Sequence, residues 1–198
     1  MPSRAPSADL KRFLRRLPLA LVAAVVIWAA VTPGYNPALC ACAQAIARFG
    51  EVPPASMIVL REGDALLGRS DLRTNSDWLK IPMTQIHFNL VPFLALVLAL
   101  PRPLTGGAWR RLLAALGLLA LSHALGLVWE IKALEALSMG AWSRAVYSDV
   151  ARNVYGTLRY FFNIPVTFAF PLVLWVGAYS ERIFALAGIS SDSGRAPK

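Results

Sequence analysis

Polar side chains embedded in long apolar stretches are the residues of this chain that could do chemistry. Arg159, Asn163 and Thr167 recur every four positions, which places them on one face of a helix. His123 and Glu130 are seven residues apart and share a face of another helix. Because polar groups are costly in hydrocarbon, we expect these residues to face the interior of a helix bundle or another protein.

His87 and Asn89 lie at the start of a further apolar stretch. Two residues apart, they point to nearly opposite faces of a regular helix, so at most one should join the others unless the helix starts later. The candidate polar cluster therefore consists of six residues from three stretches. They are His87, Asn89, His123, Glu130, Arg159 and Asn163.

A histidine, a carboxylate and an arginine around one pocket could transfer a proton or bind a lipid headgroup. The alternative is that these side chains only fasten the bundle through hydrogen bonds between helices, each worth about 1 kcal/mol. The residues alone allow both interpretations, and no catalytic motif of known specificity decides between them.

Cys40 and Cys42 are the candidate thiols and the only cysteines. On a helix their side chains diverge, so a disulfide between them would be strained. A metal site would need more ligands, and the two histidines have no motif spacing, so we predict neither a metal nor a cofactor. We interpret the cysteines as small apolar residues of a helix over Ala38–Phe49, with a nucleophilic or redox-active thiol as the alternative.

The composition indicates a membrane protein. Hydrophobic residues make up 57% of the 198 residues, charged residues only 16%, and the mean hydropathy is +0.52. A water-soluble chain of this length would leave too much apolar surface exposed. The net charge of +9 does not predict nucleic-acid binding, because the basic residues border apolar stretches rather than alternating with aromatic residues.

Four stretches are long and apolar enough to be predicted as transmembrane helices. They are residues 14–32, 84–101, 112–130 and 160–179. Pro165 and Pro171 lie inside the fourth and predict a kink, which membrane helices tolerate when neighbours satisfy the freed carbonyls.

The basic residues predict the orientation. Eleven bases and three acids lie in the termini and the 102–111 loop when Arg15 and Arg16 at the start of the first span are counted with them, whereas nine bases and eight acids lie in the other connections when Glu130 at the end of the third span is counted there. By the positive-inside rule, residues 1–13, 102–111 and 180–198 are cytoplasmic, and residues 33–83 and 131–159 lie outside. Cleavage of the first stretch as a signal, or lipid attachment within Leu39-Cys40-Ala41-Cys42, which would modify Cys42, is disfavoured because a polar segment separates the stretch from any processing site.

The first outer segment, 33–83, contains a predicted β-hairpin. Met57–Leu60 and Ala65–Gly68 have strand character on either side of an Arg61–Asp64 turn, and Trp78–Ile81 is a candidate third strand. About 50 residues bury too little surface to be stable alone, so this unit should lean on the helices, the headgroups or a partner. It is therefore a candidate partner surface or a structural cap.

The second outer segment, 131–159, predicts an amphipathic helix. From Trp142 onward, Val146, Val150 and Val154 recur every four residues. We expect this helix to lie in the outer membrane interface. The alternative is that this helix binds in a groove of a partner protein.

The order of these features, together with the stretch from His87 to Leu96 (HFNLVPFLAL), resembles the small membrane proteins associated with exosortases, notably the exosortase H-associated type. The resemblance implies an accessory role beside an exosortase, the bacterial inner-membrane transpeptidase that processes proteins carrying a C-terminal sorting signal. The local motifs around the catalytic Cys, Arg and His of exosortases are not matched by Cys40 or Cys42, Arg159 and His123.

Sequence and resemblance together predict an all-α membrane protein with four transmembrane helices, an extracytoplasmic β-hairpin and an interfacial helix. The expected function is a non-catalytic accessory or assembly role in protein sorting. The expected partners are membrane lipids and an exosortase-like transpeptidase or its substrates. The rival hypothesis is an enzyme, or a lipid- or peptide-binding protein, that uses the polar cluster. A channel is disfavoured because internal repeats and paired charges are lacking.

Overall fold

The computed structural model of the protein describes residues 8–49, 51, 55–70 and 78–187, and these are mostly helical. The helices are α1 (Ala8–Phe49), α2 (Met83–His87), α3 (Leu90–Ala99), α4 (Ala108–Ser138), α5 (Gly140–Val146), α6 (Asp149–Phe161) and α7 (Thr167–Leu186). A π-helical turn, Phe162–Val166, joins α6 to α7. The strands are β1 (Ser56–Arg61), β2 (Asp64–Arg69) and β3 (Leu79–Pro82).

Within the described residues, three helical segments are long and apolar enough to cross a bilayer. They are Ala8–Phe49 with 42 residues, Ala108–Ser138 with 31, and Asp149–Leu186 with 38. Spanning about 30 Å of hydrocarbon takes about 20 residues, so these segments indicate a membrane protein. The predicted second span, 84–101, corresponds to a shorter apolar segment, Met83–Ala99, which is interrupted between α2 and α3.

Pro92 explains this interruption. Proline has no N–H, so it leaves the carbonyl of Phe88 without its usual helical donor. That carbonyl instead accepts the N–H of Val91 at 2.9 Å, which tightens the backbone at Phe88 and Asn89. The side chains of α2 and α3 therefore do not follow the facing pattern of the single regular helix that the sequence predicts.

Helix α1 is continuous through Pro33 and Pro37, although the sequence predicts a span that ends at residue 32 and a polar linker beyond it. Leu39, Ala43 and Ala47 of its last turns are buried against the sheet and α4. Recurring every four residues, they form one apolar face whose burial favours the helix over the breaking tendency of the prolines.

Helix α4 also extends beyond its predicted end at residue 130 to Ser138. The amphipathic stretch is divided into α5 and α6, because Tyr147 and Ser148 leave the helical conformation. Ser148 caps α6 by accepting the N–H of Ala151 at 3.2 Å. The π-helical turn that follows contains Pro165, one of the two prolines for which a kink is predicted.

The three strands form an antiparallel sheet in the order β1-β2-β3, which confirms the predicted hairpin and the predicted third strand. Glu62 and Gly63, at φ values of 53° and 87°, make the two-residue turn between β1 and β2. Ala65, Leu67 and Ile81 are buried on the face of the sheet that packs against α1 and α4. The sheet is therefore attached to the helices along one face.

Candidate functional site

Five side chains from α1, from the region of α2 and α3, and from α4 form the histidine cluster. They are Trp28, Tyr35, His87, Asn89 and His123. The indole N–H of Trp28 donates to Nδ1 of His87 at 2.8 Å. The hydroxyl of Tyr35 lies 2.7 Å from Nδ1 of His123, and Nε2 of His123 lies 2.5 Å from Oδ1 of Asn89.

These partners define the proton positions on both imidazoles. The amide oxygen of Asn89 only accepts, so His123 carries its proton on Nε2 and accepts the Tyr35 hydroxyl at Nδ1. His87 accepts from Trp28 at Nδ1 and carries its proton on Nε2, which has no hydrogen-bond partner among the described residues. These assignments are those of neutral imidazoles, the form that costs less to bury.

The interruption at Phe88 and Asn89 lets His87 and Asn89 both join this cluster. Both side chains are buried, whereas Phe88 between them is exposed. Both residues are expected to join only if the helix starts later than a regular one would, and this condition is met because α3 starts at Leu90, after both residues.

Glu130, Arg159 and Asn163 form a second group, the Glu130 cluster. Nε of Arg159 donates to Oε2 of Glu130 at 2.8 Å, and Nη2 lies 2.7 Å from Oε1. The amide of Asn163 donates to Oε2 at 3.0 Å. This two-point pairing of guanidinium and carboxylate neutralises the buried Glu130.

The six predicted residues thus form two clusters along α4. His123 and Glu130 both face the interior, but seven residues separate them by roughly 10 Å along the helix axis. His87 and Asn89 lie with His123, whereas Arg159 and Asn163 lie with Glu130. A single site combining histidine, carboxylate and arginine is not formed.

A third group, the Glu135 network, joins the sheet to the helices. It consists of Glu51, Ser56, Arg69, Lys132, Glu135 and Tyr147. Glu135 is fully buried and is contacted by Ser56 Oγ at 2.5 Å and Arg69 Nη1 at 3.1 Å through Oε1. Its Oε2 is contacted by Lys132 Nζ at 2.9 Å and by the Tyr147 hydroxyl at 3.2 Å.

Glu51 completes the charge balance of the network. Lys132 Nζ lies 2.7 Å from Oε1 of Glu51, and Arg69 Nη1 lies 3.5 Å from the same atom. Two carboxylates therefore face two cations, and the guanidinium of Arg69 stacks over the ring of Trp142 at 4.4 Å. The network binds β1, β2, α4 and the chain after α5 to one another.

Sequence reasoning missed the Glu135 network. It assigned Lys132 and Glu135 to an outer segment, although no glycine or proline interrupts residues 131–138. The sequence therefore contained the signal that the helix continues through residues 131–138, with a base and an acid three residues apart on one face. It contained no such signal for the pairing of Glu135 with residues of the sheet, because these partners lie 66 and 79 residues earlier in the chain.

The network shifts the titration of its members outside the long helices. Burial alone would raise the pKa of Glu51, but hydrogen bonds from Lys132, from the Ser56 side chain and from the backbone of Ala55 and Ser56 lower that pKa to about 2. Burial, and next the negative charge of Glu135, raise the pKa of Tyr147. Glu51 is therefore ionised and Tyr147 neutral near pH 7.

The two candidate thiols lie in different surroundings on α1. Cys40 is buried, with its Sγ 3.9 Å from Sδ of Met83, whereas Cys42 is exposed. Neither forms a disulfide within the described chain. Cys40 packs in the apolar core beside the sheet, as expected for a small apolar residue.

A groove of about 480 Å³ opens beside the Glu130 cluster. Its wall is formed by Thr84, Gln85 and Phe88 on one side and by Asn163, Thr167 and Phe168 on the other. The wall is mainly apolar, and Asn163 belongs both to the groove and to the Glu130 cluster. This groove is where a lipid chain or an apolar peptide could approach the buried carboxylate.

The chain matches no known protein family, no curated protein and no solved structure. Within the described residues, no three His, Cys, Asp or Glu side chains are placed to hold a metal ion together. The described residues form three buried groups of hydrogen-bonded polar side chains, which are aligned along α4 and connect it to α1, the α2–α3 region, α6, the π-helical turn and the sheet.

Replacing Glu135 by Ala should lower the free energy of unfolding by roughly 3–5 kcal/mol, because Arg69 and Lys132 lose a buried counter-charge. Glu62→Ala, which removes the same side chain from the exposed turn, should change it by less than about 0.5 kcal/mol. Denaturant titration of both variants in detergent micelles measures the difference. Equal effects of the two substitutions would contradict the assigned role of the network.

Acid should weaken the network through Glu51. Since its pKa falls from 4.5 when unfolded to about 2 when folded, its contribution is fully present above about pH 4.5 and is lost as the pH falls toward 2. The stability advantage of the wild type over Glu51→Gln should therefore be constant at neutral pH and shrink in acid. Thermal unfolding of both proteins between pH 7 and pH 2.5 tests this, and an advantage that is independent of pH would refute it.

Proposed function

We propose that this protein is a non-catalytic accessory or assembly subunit of a membrane-bound protein-sorting system of the exosortase type. In this proposal four helices cross the bacterial inner membrane, both termini are cytoplasmic, and the sheet lies outside. The partner is an exosortase-like transpeptidase or one of its substrates, as the resemblance over His87–Leu96 implies. Pro92 within that stretch interrupts the helix and thereby buries His87 and Asn89.

The saturation of three buried polar side chains of α4, those of His123, Glu130 and Glu135, carries this proposal. The carboxylate of Glu135 has four side-chain partners, that of Glu130 is paired with Arg159 and Asn163, and both nitrogens of His123 are engaged. A general acid or base needs an atom that can reach its substrate. Groups engaged with one another instead hold elements in place, which supports a structural role.

The outward side of the sheet supports a partner surface. Met57 and Val59, which alternate along β1 onto this side, are exposed apolar residues, while Ser56 at the start of the same strand is anchored in the Glu135 network. A rigidly held strand with exposed apolar side chains suits the docking of another protein. The network then has a functional consequence, since it presents this surface in a fixed orientation.

We expect the chain, tagged and expressed at its natural level, to copurify in mild detergent with a membrane transpeptidase of the same cell. Its deletion should leave proteins with C-terminal sorting signals unprocessed. Quantitative mass spectrometry of the complex and immunoblots of the substrates measure both effects. Normal processing in the deletion strain, together with a chain that purifies alone, would rule out the accessory role.

The groove favours a second candidate function, an enzyme or a lipid- or peptide-binding protein that uses the Glu130 cluster. The side chain of Arg159 is 37% exposed, and Asn163 lines the groove beside it. π-helical turns such as the one that contains Asn163 occur frequently at functional sites. These observations concern the Glu130 cluster and do not extend to the histidine cluster.

Single replacements of His123, Glu130 and Arg159 by Ala separate the two functions. For an accessory subunit, all three should lower the amount of folded protein in the membrane, because each leaves buried polar partners unsatisfied. Processing per folded molecule should stay unchanged. Arg144→Ala, at an exposed position of α5, is the matched control for Arg159→Ala. Full abundance with lost function in Glu130→Ala and Arg159→Ala would instead favour the enzyme or binding protein.

A further inference from the structure

A polar cavity of about 170 Å³ lies at the opposite end of α4 from the sheet. The turn between α3 and α4 forms one side of the cavity, and the last turns of α7 form the other. Its wall includes Thr105, Ala108, Arg111, Tyr179, Glu181 and Arg182. The clusters described above contribute no residue to it, so its chemistry is separate from theirs.

Tyr179 is the unusual residue of this wall. Its side chain is only 2% exposed, yet its hydroxyl has no hydrogen-bond partner among the described residues. Its backbone leaves the helical conformation, with φ −128° and ψ 20°. Since a buried hydroxyl without a partner costs free energy, the hydroxyl of Tyr179 calls for an acceptor that enters the cavity.

The surroundings of Tyr179 favour an anionic acceptor. Arg111 and Arg182 both lie close enough to act electrostatically on its hydroxyl. Nη2 of Arg182 donates to the carbonyl and hydroxyl of Thr105 at 2.9 and 3.0 Å, which fixes this guanidinium in the wall. Among the described residues of the wall, Glu181 is the one acid, and it opposes the two cations.

The backbone of α4 adds to the positive potential. The helix begins at Ala108, which lines the cavity, and no side chain caps its first turn. The N–H groups of Ala108 and Arg110 already donate to the carbonyls of Thr105 and Gly107, at 3.3 and 3.1 Å, so α4 contributes the positive end of its dipole to this region rather than free donors. Two arginines and the hydroxyl of Tyr179 are donors of the kind that phosphate oxygens accept from, and the helix dipole adds positive potential beside them.

We propose that this cavity binds a phosphate group, supplied by an anionic phospholipid of the membrane. Helices α4 and α7 both belong to segments that could span the bilayer, so the cavity lies at a membrane surface. Basic pockets between membrane helices are suited to lipid headgroups. A free phosphate ion is the other source of the same chemistry. The inference goes beyond the proposed function and needs no protein partner.

Four substitutions test the site. Arg111→Gln should weaken binding about tenfold, since a charged donor is lost. Tyr179→Phe should weaken it several-fold, and Glu181→Gln should strengthen it, because the opposing charge is removed. Arg110→Gln, one residue along α4 and outside the wall, is the control and should leave binding unchanged. Arg182 is not substituted, because its hydrogen bonds to Thr105 hold the turn between α3 and α4.

Binding is measured on the full chain in detergent by native mass spectrometry, with dioleoylphosphatidylglycerol as the probe. Dioleoylglycerol, which lacks the phosphate, should not bind. Weakening by Arg111→Gln and strengthening by Glu181→Gln support a lipid phosphate site. If inorganic phosphate binds as tightly and shows the same response to the variants, the phosphate site stands with the free ion as its ligand.

Equal binding of dioleoylglycerol, or equal weakening by Arg110→Gln and Arg111→Gln, would overturn the proposal. Thermal unfolding of each variant without ligand identifies a loss of fold. Since misfolding cannot strengthen binding, Glu181→Gln keeps the proposal falsifiable even if Arg111→Gln is unstable. An affinity of Glu181→Gln equal to or below that of the wild type would count against an anion in the cavity.

Discussion

A fully buried carboxylate, that of Glu135, imposes the constraint on which much of this fold depends. An isolated charge in an apolar interior costs many kcal/mol, so Glu135 must be met by cations and donors in fixed geometry. Those groups come from β1, β2, the preceding turn of α4 and the chain after α5. The position of the sheet, the length of α4 and the placement of α5 are therefore coupled through one side chain.

The same principle repeats along α4. His123, Glu130 and Glu135 each engage different neighbours: α1 and the break before α3, then α6 and the π-helical turn, then the sheet. Apolar packing holds helices together without specifying their register, whereas hydrogen bonds between buried groups are directional. Three successive polar contacts on one helix thus define how each element sits against it.

The proposed partner surface and the proposed phosphate site lie at opposite ends of α4. Near the sheet, the polar groups satisfy one another and leave the apolar side chains of β1 exposed, which suits a protein partner. At the start of α4, the hydroxyl of Tyr179 is left unsatisfied beside two arginines, which suits a small anion. The saturation of Glu135 supports a structural role, and the unmet hydroxyl of Tyr179 beside two arginines supports a ligand, because burial penalises a polar group that lacks a partner.

The sequence by itself determined the apolar helices, the hairpin with its third strand, and the burial of polar residues such as His123 and Glu130. These follow from composition and short-range periodicity, which local physics controls. Only the tertiary structure decided that α1 continues through Pro33 and Pro37, that His87 and Asn89 both turn inward, and that the six candidate residues divide into two clusters. The reason is distance along the chain: Ser56 meets Glu135 across 79 residues, and no local pattern encodes such a pairing.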